Sequence, residues 1–158
     1  MEISSYFIEN KCLFGPYPTN EQVIELEKNG ITYFIDLTTR YEKIKRYNCS
    51  VNYISYPIKD NSIPDDSKSF LELIKYISDL IRESEKHEKF YIHCKGGHGR
   101  SGLLVACILC YIQKIDAIES IRKTTEFHRN RPTLKQKWYD VECPNINCQQ
   151  NFIKLLFG

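Results

Sequence analysis

Apolar and polar positions follow two rhythms along this chain of 158 residues. In residues 68–83, Phe70, Leu71, Leu73, Ile74, Ile77, Leu80 and Ile81 recur at steps of three and four, which lines them along one face of a long amphipathic helix. Residues 51–56 instead alternate as a strand does, and residues 31–37, Ile-Thr-Tyr-Phe-Ile-Asp-Leu, form an apolar run of buried-strand type. Residues 6–14 read as an opening strand, ended by Gly15-Pro16-Tyr17-Pro18, where two close prolines mark a turn. Thr19 or Asn20 can cap a helix over residues 21–29 that carries Val23, Ile24 and Leu26 and stops at Gly30. Residues 38–47 are polar and basic, a short helix or a surface loop, and residues 57–67 are a loop rich in Pro, Asp, Asn and Ser.

A short strand, Phe90-Tyr91-Ile92, runs into a glycine-rich stretch and then an apolar helix that starts near Arg100 and carries Leu103, Leu104, Val105, Ala106, Ile108 and Leu109. Asp116 caps a further helix with Ile118, Ile121 and Phe127. Arg129-Asn130-Arg131-Pro132 breaks the chain, and the tail from Thr133 is helical in two pieces, the last with Phe152, Ile153, Leu155 and Leu156. Strands alternating with helices predict an α/β fold: a central, mostly parallel sheet of four to five strands flanked by helices, with the ligand at the strands' carboxyl ends. Nothing divides the chain, so residues 1–158 are expected to be a single domain.

The apolar fraction of 42% suits a folded globule, and a net charge of +2 with acids and bases mixed gives no case for bulk nucleic-acid binding. No apolar run approaches the length of a membrane span. The start Met1-Glu2-Ile3-Ser4-Ser5 has neither the basic-then-apolar order of a signal peptide nor the glycine that myristoylation needs. Seven cysteines is an odd number, so at least one is unpaired, and a required thiolate points to a reducing, cytoplasmic compartment. Cys107 and Cys110 lie inside an apolar helical run and read as core. Cys143 and Cys148 have no His nearby in sequence to complete a zinc site, so no metal and no cofactor is expected.

The chemistry concentrates in His93-Cys94-Lys95-Gly96-Gly97-His98-Gly99-Arg100-Ser101-Gly102. A strand, a glycine-rich loop and a helix N-terminus, in that order, make an anion cradle of inward-pointing N–H groups reinforced by the helix dipole. Lys95, Gly96, Gly97, His98, Gly99 and Arg100 are the phosphate-binding residues on this reading. The Cys94 thiol sits at the bottom of a site built for negative charge, where it is expected to ionise readily. The Arg100 guanidinium can grip two phosphate oxygens at once.

The pattern His-Cys-x5-Arg-Ser-Gly resembles the signature loop of the cysteine-dependent protein tyrosine phosphatase superfamily. Tyr56-Pro57-Ile58-Lys59-Asp60 is similar to the Tyr-Pro-x-x-Asp form of its dual-specificity phosphatase-like branch. The resemblance covers about residues 12–136 and implies a dual-specificity phosphatase-like fold. It also implies catalysis by Cys94 as nucleophile, Arg100 as phosphate clamp and Asp60 as general acid, with Asp65 and Asp66 better placed to cap the following helix. By the same resemblance His93 orients the loop or stabilises the thiolate, Ser101 assists departure of the thiolate, and Gln136, in Arg131-Pro132-Thr133-Leu134-Lys135-Gln136, positions the hydrolytic water. No family pattern is recognised after Gln136.

The implied function is hydrolysis of phosphotyrosine, and of phosphoserine and phosphothreonine, on a phosphorylated protein partner. Two alternatives stay open at this point. One is a catalytically inactive phosphate-binding module. The other is a phosphatase for a phosphoinositide or an RNA 5′ end, suggested by Lys95 and His98 as two extra basic side chains in the loop.

Overall fold

A computed structural model describes residues 2–158. Its sheet has five strands: β1 (Ser5–Ile8), β2 (Cys12–Gly15), β3 (Ile31–Asp36), β4 (Asn52–Ser55) and β5 (Lys89–His93), in the order β1-β2-β5-β3-β4. β2, β5, β3 and β4 run parallel, and β1 is an antiparallel edge. The expected single opening strand over residues 6–14 is therefore a hairpin. The polar triplet Glu9-Asn10-Lys11 turns the chain, with Asn10 at φ 58° and the Lys11 N–H donating to the Ile8 carbonyl at 3.0 Å. Asn tolerates this left-handed conformation better than most residues, which is the signal that an apolar run on either side obscured.

Phe90, Tyr91 and Ile92 of β5 are fully buried, because helices cover both faces of the sheet. On one face, Val23 and Leu26 of α1 (Asn20–Lys28) pack with Leu13, Phe34 and Tyr91. The other face carries the larger core, built with α2 (Ser67–Glu83), α3 (Arg100–Gln113), α4 (Ala117–Arg129) and α5 (Asn147–Phe157). Three helices start on side-chain caps. Thr19 and Gln22 form a reciprocal capping box, Asp66 accepts from the Lys68 and Ser69 N–H groups, and Asp116 accepts from Glu119. α3 has no side-chain cap. Its first-turn N–H groups are left for another partner, and it is apolar all round because it is central. Residues 38–47 form a loop, and the tail is a short 3₁₀ turn (Gln136–Trp138) followed by α5. Among the described residues no helix is long and apolar enough to cross a membrane. Because four strands are parallel, the segments after β2, β5, β3 and β4 leave along one edge of the sheet, and the chemistry gathers there.

Candidate active site

The loop between β5 and α3 is fixed by glycine geometry and by two ties, with a third bond beside it. Gly97 has φ +80°, and a Cβ there would stand 2.4 Å from the Gly15 carbonyl carbon, so only glycine fits. The Tyr17 N–H donates to the Lys95 carbonyl at 3.0 Å. Buried Arg131 donates through Nη2 to the Gly97 carbonyl at 2.8 Å, and Tyr91 donates its hydroxyl to the Pro16 carbonyl at 2.7 Å. At the base of the loop Cys94 is 2% exposed. The Gly97 N–H donates to its Sγ at 3.3 Å, and Ser101 Oγ lies 3.4 Å from the same sulfur.

Arg100 is 1% exposed and held from three sides. Its Nη1 and Nη2 donate to Glu42 Oε2 and Oε1 at 2.9 and 2.7 Å, a bidentate pair. Nη1 also donates to the Ile58 carbonyl at 2.8 Å, and Nη2 stands 3.2 Å from Asp60 Oδ1. The Nε donor is buried with no partner among the described residues. Burial alone would raise the Glu42 carboxyl. The hydrogen bonds from Arg100 and Thr39, together with the Arg100 charge, outweigh it and bring it down to about 2. The guanidinium is thus oriented in advance, with one donor left uncommitted. Glu42 was not a sequence candidate. Its one signal is that it is the lone acid in a basic loop with Arg40, Lys43, Lys45 and Arg46.

Asp60 lies on the loop after β4 with its carboxylate 55% exposed, and Oδ1 also accepts from the Asn61 N–H at 3.0 Å. Asp66 is committed to the cap of α2, and neither it nor Asp65 lines the cleft. His93 is fully buried beneath the loop, its Nε2 2.7 Å from the Tyr47 hydroxyl and its Nδ1 3.3 Å from the Cys94 carbonyl and 3.8 Å from Asp36 Oδ1. Burial outweighs the attraction of Asp36 and lowers its pKa to about 4, so it is neutral near pH 7. Asp36 in turn accepts from the Thr38 N–H and hydroxyl and from the Tyr53 hydroxyl.

Two expectations need correction. His98 is not a second cation in the loop. Its ring stacks on Trp138 with centroids 3.7 Å apart, and its Nδ1 lies 2.7 Å from His128 Nε2. Burial, then Arg131, lowers its pKa to about 3, which leaves Lys95 as the exposed cation of the loop. Gln136 does not reach the cleft. It is exposed at the start of the 3₁₀ turn, and the turn delivers Trp138 instead. The cleft, about 270 Å³, is lined by Asp60, Cys94, Arg100, Trp138, Asn145 and Gln149 among others. Three of these six come from the segment after Gln136 in which no pattern was recognised. All seven cysteines are free, and no group of three or more His, Cys, Asp or Glu among the described residues is arranged to hold a metal.

The family model for the catalytic domain of dual specificity phosphatases matches residues 13–154. A protein of Invertebrate iridescent virus 3, provisionally named a tyrosine phosphatase, is 37% identical over 160 residues, covering 100% of this chain and 67% of that protein. A second, with the same provisional name, from Invertebrate iridescent virus 6, is 39% identical over 153 residues, covering 95% of this chain and 52% of its own length. This chain therefore spans about two thirds of the one relative and about half of the other. Among solved structures, Tk-PTP in its active form superposes with a TM-score of 0.74 at 22% identity, covering 98% of this chain and 95% of that one.

Proposed function

The chain belongs to the dual-specificity phosphatase family, and from that membership and the cleft's geometry we propose that it hydrolyses phosphotyrosine, and with it phosphoserine and phosphothreonine, on proteins through a phosphocysteine intermediate. The observation that carries the reading is the position of Cys94 Sγ beneath the Gly97 N–H, with Arg100 buried beside it and Asp60 within 3.2 Å of the guanidinium. In the first step the Cys94 thiolate attacks phosphorus in line. The S–P bond forms as the P–O bond to the leaving group breaks, and the Asp60 carboxyl gives its proton to the departing oxygen. The loop N–H groups and Arg100, including its uncommitted Nε, hold the equatorial oxygens where charge builds. In the second step water attacks phosphorus, Asp60 takes its proton and the S–P bond breaks. The thiolate leaves toward the Ser101 hydroxyl, and inorganic phosphate departs. His93, held by Tyr47, supports the loop from behind.

A polyanionic substrate rested on two extra loop cations. With His98 neutral, only Lys95 remains, so phosphoprotein is the better-supported substrate. The test is turnover of phosphotyrosyl and phosphoseryl peptides by the wild type and Cys94→Ser, with a denaturing quench of a ³²P-labelled peptide. Labelled protein is expected from the wild type alone. Turnover by Cys94→Ser, or no labelled protein under conditions of a product burst, would refute the covalent mechanism.

A further inference from the structure

Gln149 belongs to α5, yet its fully buried side chain lies on the wall of the catalytic cleft. Its Nε2 donates to the carbonyl of Ser62 at 3.1 Å. Ser62 sits two residues after Asp60 on the same loop. The amide also packs on the signature loop: a Cβ built at Gly99 would stand 3.0 Å from its Oε1 and 3.1 Å from its Nε2. Oε1 itself is buried and accepts no hydrogen bond among the described residues. One residue earlier, Cys148 Sγ lies 3.8 Å from the Asn61 carbonyl, so α5 meets the acid-bearing loop at two successive carbonyls.

A buried amide with an unsatisfied acceptor is a liability that Leu or Met would avoid. The side chain's one hydrogen bond runs to the acid loop, so that bond is the candidate reason for the residue. The loop has need of it. Asp60 is more than half exposed, its carboxylate meets the Asn61 N–H and Arg100, and Asn61 reverses the chain at φ 59°. Proton transfer needs the acid within hydrogen-bond reach of the leaving oxygen, and small displacements of a catalytic group are costly.

We propose that Gln149 is a positioning residue for proton transfer: its bond to the Ser62 carbonyl, braced on Gly99, holds the loop that carries Asp60 in register over the signature loop. The inference rests on Asp60 as the general acid. Asp60→Asn is therefore measured first. Its kcat/KM should fall far more on phenyl phosphate, whose leaving oxygen is basic, than on p-nitrophenyl phosphate. Equal losses on the two esters would remove Asp60 from its role, and this inference with it.

Given that selectivity, Gln149→Met keeps the side chain's length and removes the donor. It should lose about tenfold on phenyl phosphate and no more than about twofold on p-nitrophenyl phosphate, the size expected for one hydrogen bond. Added to Asp60→Asn it should cost nothing further, because both changes act through the same proton. Alkylation of Cys94 by iodoacetamide, which uses the cradle and not the acid, should keep the wild-type rate. Gln149→Leu, which also removes the donor and adds no charge to the phosphate cleft, should repeat the selectivity and serves if the Met variant does not fold. Equal loss on both esters, additive loss in the double variant or slowed alkylation would assign Gln149 to support of the fold and overturn the proposal. Failure of both variants to fold would do the same.

Discussion

Glu42→Gln isolates the pair that orients Arg100. The substitution keeps the side chain's shape, removes its charge and replaces one of two acceptors with a donor. An amide can then accept from only one of the two guanidinium nitrogens now held at 2.7 and 2.9 Å, and its own NH₂ faces the other. One charge-assisted bond is lost, worth about 1.5–3 kcal/mol. Freed on that side, Arg100 is drawn closer to Asp60, the proposed proton donor, which it already meets at 3.2 Å. If the whole loss falls on the transition state, kcat/KM drops by roughly tenfold to 150-fold, at about 1.4 kcal/mol per tenfold.

The same pair fixes a pH signature. The Glu42 carboxyl is lowered to about 2 when folded, against about 4.3 in an unfolded chain. A depressed carboxyl stabilises the fold above its unfolded pKa, and that contribution is lost as pH falls through the folded one. The shift of about two units corresponds to roughly 3 kcal/mol at pH 7, for a side chain only 13% exposed. Urea titration should therefore find Glu42→Gln roughly 2–3 kcal/mol less stable at pH 7, with the gap narrowing below about pH 4.3 and closing toward pH 2. Steady-state assay on p-nitrophenyl phosphate, with inhibition by inorganic phosphate as the binding control, reads the kinetic part. Wild-type kcat/KM together with wild-type stability at pH 7 would show that Glu42 does not orient Arg100.

Gly97→Ala sets a Cβ against the Gly15 backbone in a left-handed conformation, so a loss of about 3 kcal/mol or more in stability is expected, with turnover nearly abolished; a variant as stable as the wild type would show that the loop is not seated on β2. His93, His98 and His128 have pKa values lowered to about 4, 3 and 4, chiefly by burial, so the fold binds fewer protons than the unfolded chain below about pH 6.5. Stability should fall as pH drops from 6.5 toward 4, by roughly 2–3 kcal/mol at pH 5.5, discounting the partly exposed His98, and a flat urea midpoint over that range would contradict the neutral assignments. Asp66→Ala should cost about 1 kcal/mol through the lost cap of α2 and leave the pH–rate profile intact; a flattened basic limb in this variant, and not in Asp60→Asn, would move the acid to Asp66.

The parts of the site that were legible in the sequence are those that chemistry requires to be local. A phosphate cradle made of backbone N–H groups must come from consecutive residues between a strand and a helix, so residues 93–102 carried their own context. Asp60, the proposed acid, stood out because its loop has a pattern of its own and leads into a capped helix. The helices and central strands were legible from periodicity, while the hairpin at Asn10 was lost because three polar residues barely interrupt an apolar run.

What could not be read were the residues that tertiary packing brings to the loop. Glu42, Asn145 and Gln149 are single polar residues with no periodicity, and they meet the signature loop only because the sheet order seats β3 beside β5 and α5 packs on α3. His98 failed for the same reason in reverse. A histidine's charge is set by what buries it, and Trp138 and His128, 40 and 30 residues away along the chain, remove from the loop a cation that its sequence offers. The electrostatics of this cleft follow from that asymmetry. Its attractive elements, the loop N–H groups and Arg100, are written contiguously. The contacts that aim and limit them, Glu42 on the guanidinium, His128 on His98 and Gln149 on the acid loop, are set by tertiary packing.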